Sequence, residues 1–160
     1  MNIVTTRKAV QIILKKDENN AINEDMLRRL FKSEKLPSWK HGNRTVCEIS
    51  LLIEGLNTLL GLEEKKRVPR IRSIHNAFLE LRTSSPELGI SEERIRVLVG
   101  MNKLPHIRVG NRVYIALESF EDPYNECLIY DDYRESEEAM LDRVAQEQFE
   151  LAMERRNKRK

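Results

Sequence analysis

Cationic side chains recur in this chain at positions that are 68 residues apart. Four positions keep a Lys or an Arg in both occurrences: Arg28 and Arg96, Lys35 and Lys103, Lys40 and Arg108, Arg44 and Arg112. Lys and Arg side chains bind phosphate oxygens, and Arg also pairs with guanine edges. The recurrence therefore indicates a surface that meets a polyanion, although basic residues on a helix are usually just solvated.

The same spacing relates two stretches of sequence. Residues 35–44 read KLPSWKHGNR and residues 103–112 read KLPHIRVGNR, in register through both Leu-Pro and Gly-Asn-Arg. A chain of 160 residues can form one domain or two small ones, and the repeat favours two. We expect unit 1 in residues 1–61, a linker in 62–70, unit 2 in 71–128 and a long helix in 131–160.

The composition is that of a charge-rich folded protein, with 40% hydrophobic and 34% charged residues. The net charge of +2 conceals a gradient: +3 in residues 1–61, +1 in 62–126 and −2 in 127–160. The excess of basic over acidic residues in the first 61 residues is a mild sign of a polyanionic partner.

The residues give no support for a metal centre, a disulfide framework or a catalytic site. Cys47 and Cys127 form no CxxC pair, and the histidines, His41, His75 and His106, are scattered. Neither a glycine-rich phosphate loop nor a nucleophile motif is present, and no stretch reads as a signal peptide or a membrane span. We therefore expect a protein that is not an enzyme, has no cofactor or metal, and works in a reducing, cytoplasmic setting.

Two helices are predicted before each repeated segment. Residues 5–15 have a helix-compatible apolar pattern, with Thr5 or Thr6 as the candidate N-cap. The second helix begins near Asn23, with acidic residues in its first turn at the positive end of the helix dipole. In unit 2 the first helix is assigned to residues 68–82. The buried stripes of the second helices are Leu27, Leu30 and Phe31 in unit 1, and Ile95, Leu98 and Val99 in unit 2.

A hairpin is predicted after each Leu-Pro pair, because the residues there alternate as strands do. We prefer a three-residue loop, Gly110-Asn111-Arg112, which sets Val109 beside Val113 on an inner face. A two-residue loop would set Val109 beside Arg112 and mix the two faces. In unit 1 the preferred register places Trp39, His41, Thr45 and Cys47 inside, and Lys40 and Val46 outside.

A third helix is predicted after each hairpin, from Ser50 to Leu60 and from about Glu118 to Leu128, where Pro123 can shorten or bend it. The long helix of residues 131–160 either packs back on unit 2 or pairs with its copy in another chain. Its apolar stripe contains Leu141, Ala145, Ala152, and Gln148 or Phe149, with Val144 and Met140 alongside.

The predicted order of helix, helix, hairpin and helix resembles the small winged helix-turn-helix module of excisionase-like proteins, which is related to MerR-type DNA-binding domains. The segments that carry the resemblance are NEDMLRRLFKSEKLPSWKHGNRTVCEIS, SEERIRVLVGMNKLPHIRVGNRVYIALES and VPRIRSIHNAF. The resemblance implies two tandem modules in a mainly helical α+β fold with small β-hairpins. It also implies a sequence-specific double-stranded DNA-binding protein of a bacterial mobile element or phage, either a transcriptional regulator or an excisionase-like factor.

In such modules the second helix enters the major groove, and the hairpin contacts the backbone or the minor groove. Carried onto this sequence, the resemblance implies DNA-binding residues on the second helix and hairpin of each unit. They are Arg28, Arg29, Lys32, Lys35, Lys40 and Arg44 in unit 1, and Arg96, Lys103, Arg108 and Arg112 in unit 2. Unit 2 is expected to be the weaker DNA reader, because Val97 and Gly100 stand where unit 1 has Arg29 and Lys32.

Acidic residues at the start of the second helices favour a different class of protein. Glu24, Asp25, Glu92 and Glu93 would repel phosphates unless they accept hydrogen bonds from cytosine, although the helix dipole explains them equally well. The alternative is an interaction protein on the same scaffold, such as an inhibitor of a host nucleic-acid enzyme. Its partner would be a host protein, and a membrane partner is expected in neither case.

Overall fold

A computed structural model describes residues 1–121 and 123–158, and for residues 123–140 the description covers the helical backbone alone. These residues form an α+β protein with six α-helices and two small antiparallel sheets, which confirms the α+β class. Unit 1 contains β1 Ile3–Thr5, α1 Thr6–Lys16, α2 Glu24–Lys32, β2 Trp39–His41, β3 Arg44–Glu48 and α3 Ile49–Leu59. Unit 2 contains β4 Ile71–Ser73, α4 Ile74–Ser84, α5 Glu92–Gly100, β5 Ile107–Val109 and β6 Arg112–Ala116, and α6 follows at Pro123–Lys158.

Each of the five elements of unit 2 begins and ends 68 residues after its counterpart in unit 1. The helix caps repeat as well. Thr5 and Ser73 cap the first helices, and Asn23 and Ser91 cap the second ones, each through a side-chain oxygen that accepts a backbone N–H. A cap of this kind stabilises a helix by about 1 kcal/mol. The duplicated sequence therefore specifies the same local structure twice. Of the two candidate N-caps of the first helix, Thr5 and Thr6, the observed one is Thr5.

A short strand, which is not predicted from the sequence, precedes the first helix of each unit. β1 pairs with β3, and β4 pairs with β6. Each hairpin therefore belongs to a three-stranded sheet, in which the second strand of the hairpin is the central one. The helix assigned to residues 68–82 is corrected accordingly, because α4 begins only at Ile74. Three residues are too few for a strand period to be visible in the sequence.

The hairpin loops have two residues, so the predicted three-residue loop is wrong. The observed pairs in unit 2 are Ile107 with Tyr114, Arg108 with Val113 and Val109 with Arg112. Gly110 has φ +60° and Gly42 has φ +62°, whereas Asn43 and Asn111, the second loop residues, have no positive φ. That is the arrangement of a type II′ turn, whose twist matches that of the two strands it joins.

Both faces of the second hairpin are covered, so the division of its residues into an inner and an outer face does not determine the register. Val113 and Ile115 lie against the core of unit 2. Ile107 and Tyr114, on the opposite face, pack into the core of unit 1. The alternation of apolar and polar residues fixes the register of a hairpin only where one face of the sheet is exposed to solvent.

The corrected register moves the residues of β2 to the other face of the first hairpin, whereas Thr45 and Cys47 of β3 stay on the inner face. Val46 is buried although predicted outside, and Trp39 and His41 are exposed although predicted inside. Cys47 is buried as predicted. Burial, together with the neighbouring charge of Glu48, raises the pKa of its thiol to about 11.

The segments that follow the two hairpins differ. α3 begins and ends within one residue of the predicted helix. In unit 2 a 3-10 turn at Leu117–Phe120 leads instead into α6, so the predicted separate helix from Glu118 to Leu128 is wrong. Pro123 is the first residue of α6, where its missing N–H costs no helical hydrogen bond.

The long C-terminal helix is confirmed, with an earlier start than predicted. The side chains of Cys127 and Met140 and the last two residues lie outside the described part of the chain. No helix in that described part combines the length and the apolarity that crossing a bilayer requires.

A shared core and a buried ion pair join the two units. Ile107 and Tyr114 of unit 2 pack into the core of unit 1. Arg72, with its side chain 4% exposed, donates to both carboxylate oxygens of Asp17, at 2.6 and 3.0 Å. Burial acts to lower the pKa of Arg72, but its hydrogen bonds to Asp17 and Glu80 raise it above the ordinary value.

Two further hydrogen bonds tie the turn between α1 and α2 to the start of unit 2. The backbone N–H of Ala21 donates to the carbonyl of Ile71 at 2.9 Å. The side-chain amide of Asn20 donates to the carbonyl of Pro69 at 2.8 Å. The two units therefore have a defined relative orientation, which the sequence does not predict.

Candidate functional site

A groove of about 950 Å³ opens on unit 1 between the start of α1, helix α2 and the first hairpin. Five cationic side chains and one carboxylate, that of Glu24, line it. The cations of this cationic groove are Arg7, Arg28, Lys32, Lys40 and Arg44. A cleft lined mainly by one sign of charge concentrates its potential and attracts ligands of the opposite sign.

Four elements bring these cations together: α1, which carries Arg7, α2, β2 and β3. Arg28 and Lys32 are four residues apart, so they lie on one face of α2. Lys40 lies on β2 and donates to the hydroxyl of Thr45 on β3 at 2.8 Å. Arg44 is the first residue after the two-residue loop, so the tight turn holds it at the rim of the groove.

The acidic residues that begin α2 pair with arginines one turn later. Glu24 lies 2.7 Å from Arg28, and Asp25 lies 3.1 Å from Arg29. Both arginine side chains are more than half exposed. Exposed pairs at this spacing contribute only about 0.3–0.5 kcal/mol and weaken with salt, so a phosphate can replace the carboxylate at little cost.

The other flank of α2 faces the second hairpin. Arg29 and Arg112 line a cleft there, together with Asn111 and Tyr114. A methyl group built on Gly110 would lie 3.1 Å from Nη1 of Arg29, so the loop of the second hairpin approaches α2 closely. Helix α2 thus lies between the two hairpins, with the cationic groove on one side and Arg112 on the other.

Unit 2 repeats this surface in a weaker form. Arg96 and Arg108 are exposed at the positions of Arg28 and Lys40. Glu92 lies 2.8 Å from Arg96 and 3.0 Å from Nδ1 of His75, and its hydrogen bonds to His75 and Arg96 lower the pKa of the carboxyl group. Gly100 stands at the position of Lys32, and α5 packs against α6. Among the described side chains, fewer cations are therefore presented beside α5 than beside α2.

Four of the ten sequence-predicted site residues line the cationic groove, namely Arg28, Lys32, Lys40 and Arg44. Lys35 is exposed, but it does not line the groove. Lys103 lines a separate cavity at the junction of the units, where Glu118 and Glu121 are also found. The remaining predicted residues of unit 1 and Arg112 lie on or beside α2.

Sequence reasoning missed Arg7 as a member of the groove. Arg7 is the second residue of α1, two positions after the helix-capping Thr5. A fold prediction that set the start of α1 beside α2 and the first hairpin would have included Arg7. That proximity depends on the strand β1, which the sequence analysis did not contain.

The outer face of the first sheet exposes large apolar side chains. Ile3 is 50% exposed and Trp39 is 39% exposed, whereas their counterparts Ile71 and Ile107 are 0% and 2% exposed. Unit 1 covers this face in unit 2. No described residue covers the corresponding face of unit 1 to the same extent.

Comparison with family models, with curated proteins and with solved structures finds no match to this chain.

Proposed function

We propose that this protein binds double-stranded DNA through helix α2 and the two hairpins that flank it. The single observation that carries the proposal is the cationic groove, in which five cationic side chains from four elements lie on and around one exposed face of α2. The order of helix, helix and hairpin within a three-stranded sheet agrees with a winged helix-turn-helix unit, and its duplication agrees with two such units in tandem.

In the proposed complex, α2 enters the major groove and the hairpins lie against the flanking phosphates. Arg28 and Lys32 project from the exposed face of α2, where Arg28 can pair with the O6 and N7 acceptors of guanine. Lys40 and Arg44 contact phosphates on one side. Arg112 contacts phosphates on the other side of α2. The exposed face of α2, together with Lys40, Arg44 and Arg112, is called the α2 ridge below.

The helix contacts give sequence preference, and the hairpin contacts give affinity and register. A sequence-specific regulator of transcription or an accessory factor in recombination would use both. Unit 2 orients its hairpin against α2 and adds Arg96 and Arg108 as weaker phosphate contacts. The proposal requires no catalytic step.

The test is the salt dependence of duplex binding, measured by fluorescence anisotropy for the wild type and for Arg28→Ala, Lys40→Ala and Arg44→Ala. Each lost phosphate contact reduces the slope of log K against log salt by about 0.9. We expect each variant to bind several-fold more weakly at low salt. Arg44→Ala should reduce the slope without changing sequence preference, and Arg28→Ala should also relax the preference.

Lys35→Ala is the matched control, because it removes an exposed cation of the same unit outside the groove. We expect its slope to equal that of the wild type. If all four variants bind as the wild type does, or if Lys35→Ala weakens binding as strongly as Arg44→Ala, the cationic groove is not the DNA-binding surface.

The exposed Trp39 and Ile3 favour a second candidate function, the binding of another protein. Trp is a residue that typically anchors protein interfaces, and the same sheet face in unit 2 is already a protein contact. In this case the scaffold would act as an interaction module, such as an inhibitor of a host nucleic-acid enzyme. A wild type that binds no random duplex at low salt would favour this candidate over the first.

A further inference from the structure

The last part of α6 is an exposed helix with large apolar side chains. Every described side chain from residue 141 to residue 158 is exposed to solvent. The large apolar ones are Leu141, Val144, Phe149, Leu151 and Met153, at 42% to 66% exposure. In a folded monomer, a helix of this kind leaves a considerable apolar area in water, which indicates a missing partner.

The spacing of these side chains is that of a coiled coil. Leu141, Val144, Gln148 and Leu151 follow one another at intervals of three, four and three residues. Such a pattern places all four on one narrow stripe of the helix, as the a and d positions of successive heptads do. Gln148 is the polar member, and a polar residue at such a position commonly fixes the register of a pair.

The charge along the helix specifies how a second copy would align. Residues 131–150 contain eight carboxylates and two arginines, whereas residues 151–160 contain five cationic residues and one carboxylate. Parallel pairing would set like charges side by side. Antiparallel pairing sets the basic end of each helix against the acidic part of the other, which lowers the electrostatic energy.

We propose that two copies of this protein associate through α6 as an antiparallel pair. In the a-to-d register of an antiparallel coiled coil, Leu141 lies opposite the partner's Leu151, and Val144 lies opposite the partner's Gln148. A two-fold axis then passes near residue 146, and the interface is the same patch on both subunits.

The structure disfavours head-to-tail stacking, in which the exposed sheet face of unit 1 in one copy would dock on unit 2 of another copy. Unit 2 docks on unit 1 partly through the N–H of Ala21, which donates to the carbonyl of Ile71. The equivalent N–H in unit 2 belongs to Gly89, and it already donates to the carbonyl of Pro86. One hydrogen bond that docks unit 2 on unit 1 thus has no available donor at the equivalent position of unit 2, which disfavours head-to-tail stacking of chains.

The inference goes beyond the proposed function and does not depend on it, because association is measured without DNA. If both hold, the dimer carries two copies of the α2 ridge related by a two-fold axis, and the preferred DNA site is an inverted repeat.

Sedimentation equilibrium of the full chain tests the association. We expect the wild type to have twice the mass of the 18.8 kDa chain at high concentration, and to dissociate as salt rises. Leu141→Glu and Leu151→Glu should each weaken the dimer at least tenfold, because each buries a carboxylate in the apolar stripe. Met153→Glu is the matched control on the outer side of the helix and should associate as the wild type does.

A wild type that stays at 18.8 kDa at its highest soluble concentration overturns the proposal. So does equal weakening by Met153→Glu and Leu141→Glu, because association would then not use the stripe.

Disulfide trapping in a Cys127→Ser background tests the orientation. The double variant Leu141→Cys with Leu151→Cys should form a covalent dimer on mild oxidation, whereas Leu141→Cys alone should not. Efficient trapping by Leu141→Cys alone would indicate a parallel pair and contradict the proposed alignment. Absence of trapping in both variants would contradict the proposed contact of Leu141 with the partner's Leu151.

Discussion

At the scale of single residues, two arginine–carboxylate pairs of this protein have different roles. The pair of Arg72 with Asp17 is buried and joins the units, whereas the pair of Arg28 with Glu24 is exposed and lies in the cationic groove. Removing one partner of a buried pair leaves an uncompensated charge in a poorly solvated place. Removing one partner of an exposed pair leaves a charge that water solvates.

We therefore predict that Arg72→Met lowers the free energy of unfolding by about 3 kcal/mol or more. Arg28→Met is the matched control, and it should lower the same quantity by less than about 0.5 kcal/mol. Urea unfolding followed by circular dichroism measures both. Equal losses in the two variants would mean that the ion pair between Arg72 and Asp17 does not hold the units together.

At the scale of elements, the position of α2 between the two hairpins depends on two tight loops. Gly42 and Gly110 both have a positive φ, which costs a residue with a Cβ about 1–2 kcal/mol. Their surroundings differ. A methyl group on Gly42 would meet nothing within 4 Å, whereas one on Gly110 would meet Nη1 of Arg29.

We predict that Gly42→Ala and Gly110→Ala lower the free energy of unfolding by similar amounts, about 1–2 kcal/mol each, because both strain the same turn. Only Gly110→Ala should also displace the side chain of Arg29. Urea unfolding measures the first effect, and the Nε–Hε resonance of Arg29 in NMR spectra measures the second. An unchanged Arg29 resonance in Gly110→Ala would show that the second hairpin does not contact α2 in solution.

Local signals in the sequence predicted α1, α2, α3 and α5 correctly, but neither the start of α4 nor the way in which the sheets assemble. The stripe of Leu27, Leu30 and Phe31 is buried as predicted, because a nine-residue helix shows its period clearly. The hairpin register was wrong, because burial of Tyr114 by unit 1 is a long-range contact that no local pattern contains.

The candidate site was predictable to a similar degree. The helix face that carries Arg28 and Lys32 follows from spacing alone, and these residues do line one groove. Arg7 was missed and Lys35 was included, because both assignments require the packing of α1 and of the hairpin against α2. Which residues belong to the site therefore depends on contacts between elements, and the periodicity of a single element does not contain those contacts.

At the scale of the whole molecule, the duplication has produced two units that are not equivalent. Unit 2 uses one sheet face to dock on unit 1, and its hairpin loop approaches α2. Unit 1 keeps both the cationic groove and an exposed sheet face. In our account, a tandem repeat has become one DNA-binding surface centred on α2, with the second hairpin as its far edge.

An NMR titration of the labelled full chain with a short DNA duplex at low salt tests this central claim most directly. We expect the largest amide shift changes in α2, in residues 39–45 and in residues 110–112, with little change in α3. Duplex binding that leaves the α2 resonances unchanged, or that perturbs only the basic end of α6, would contradict the account.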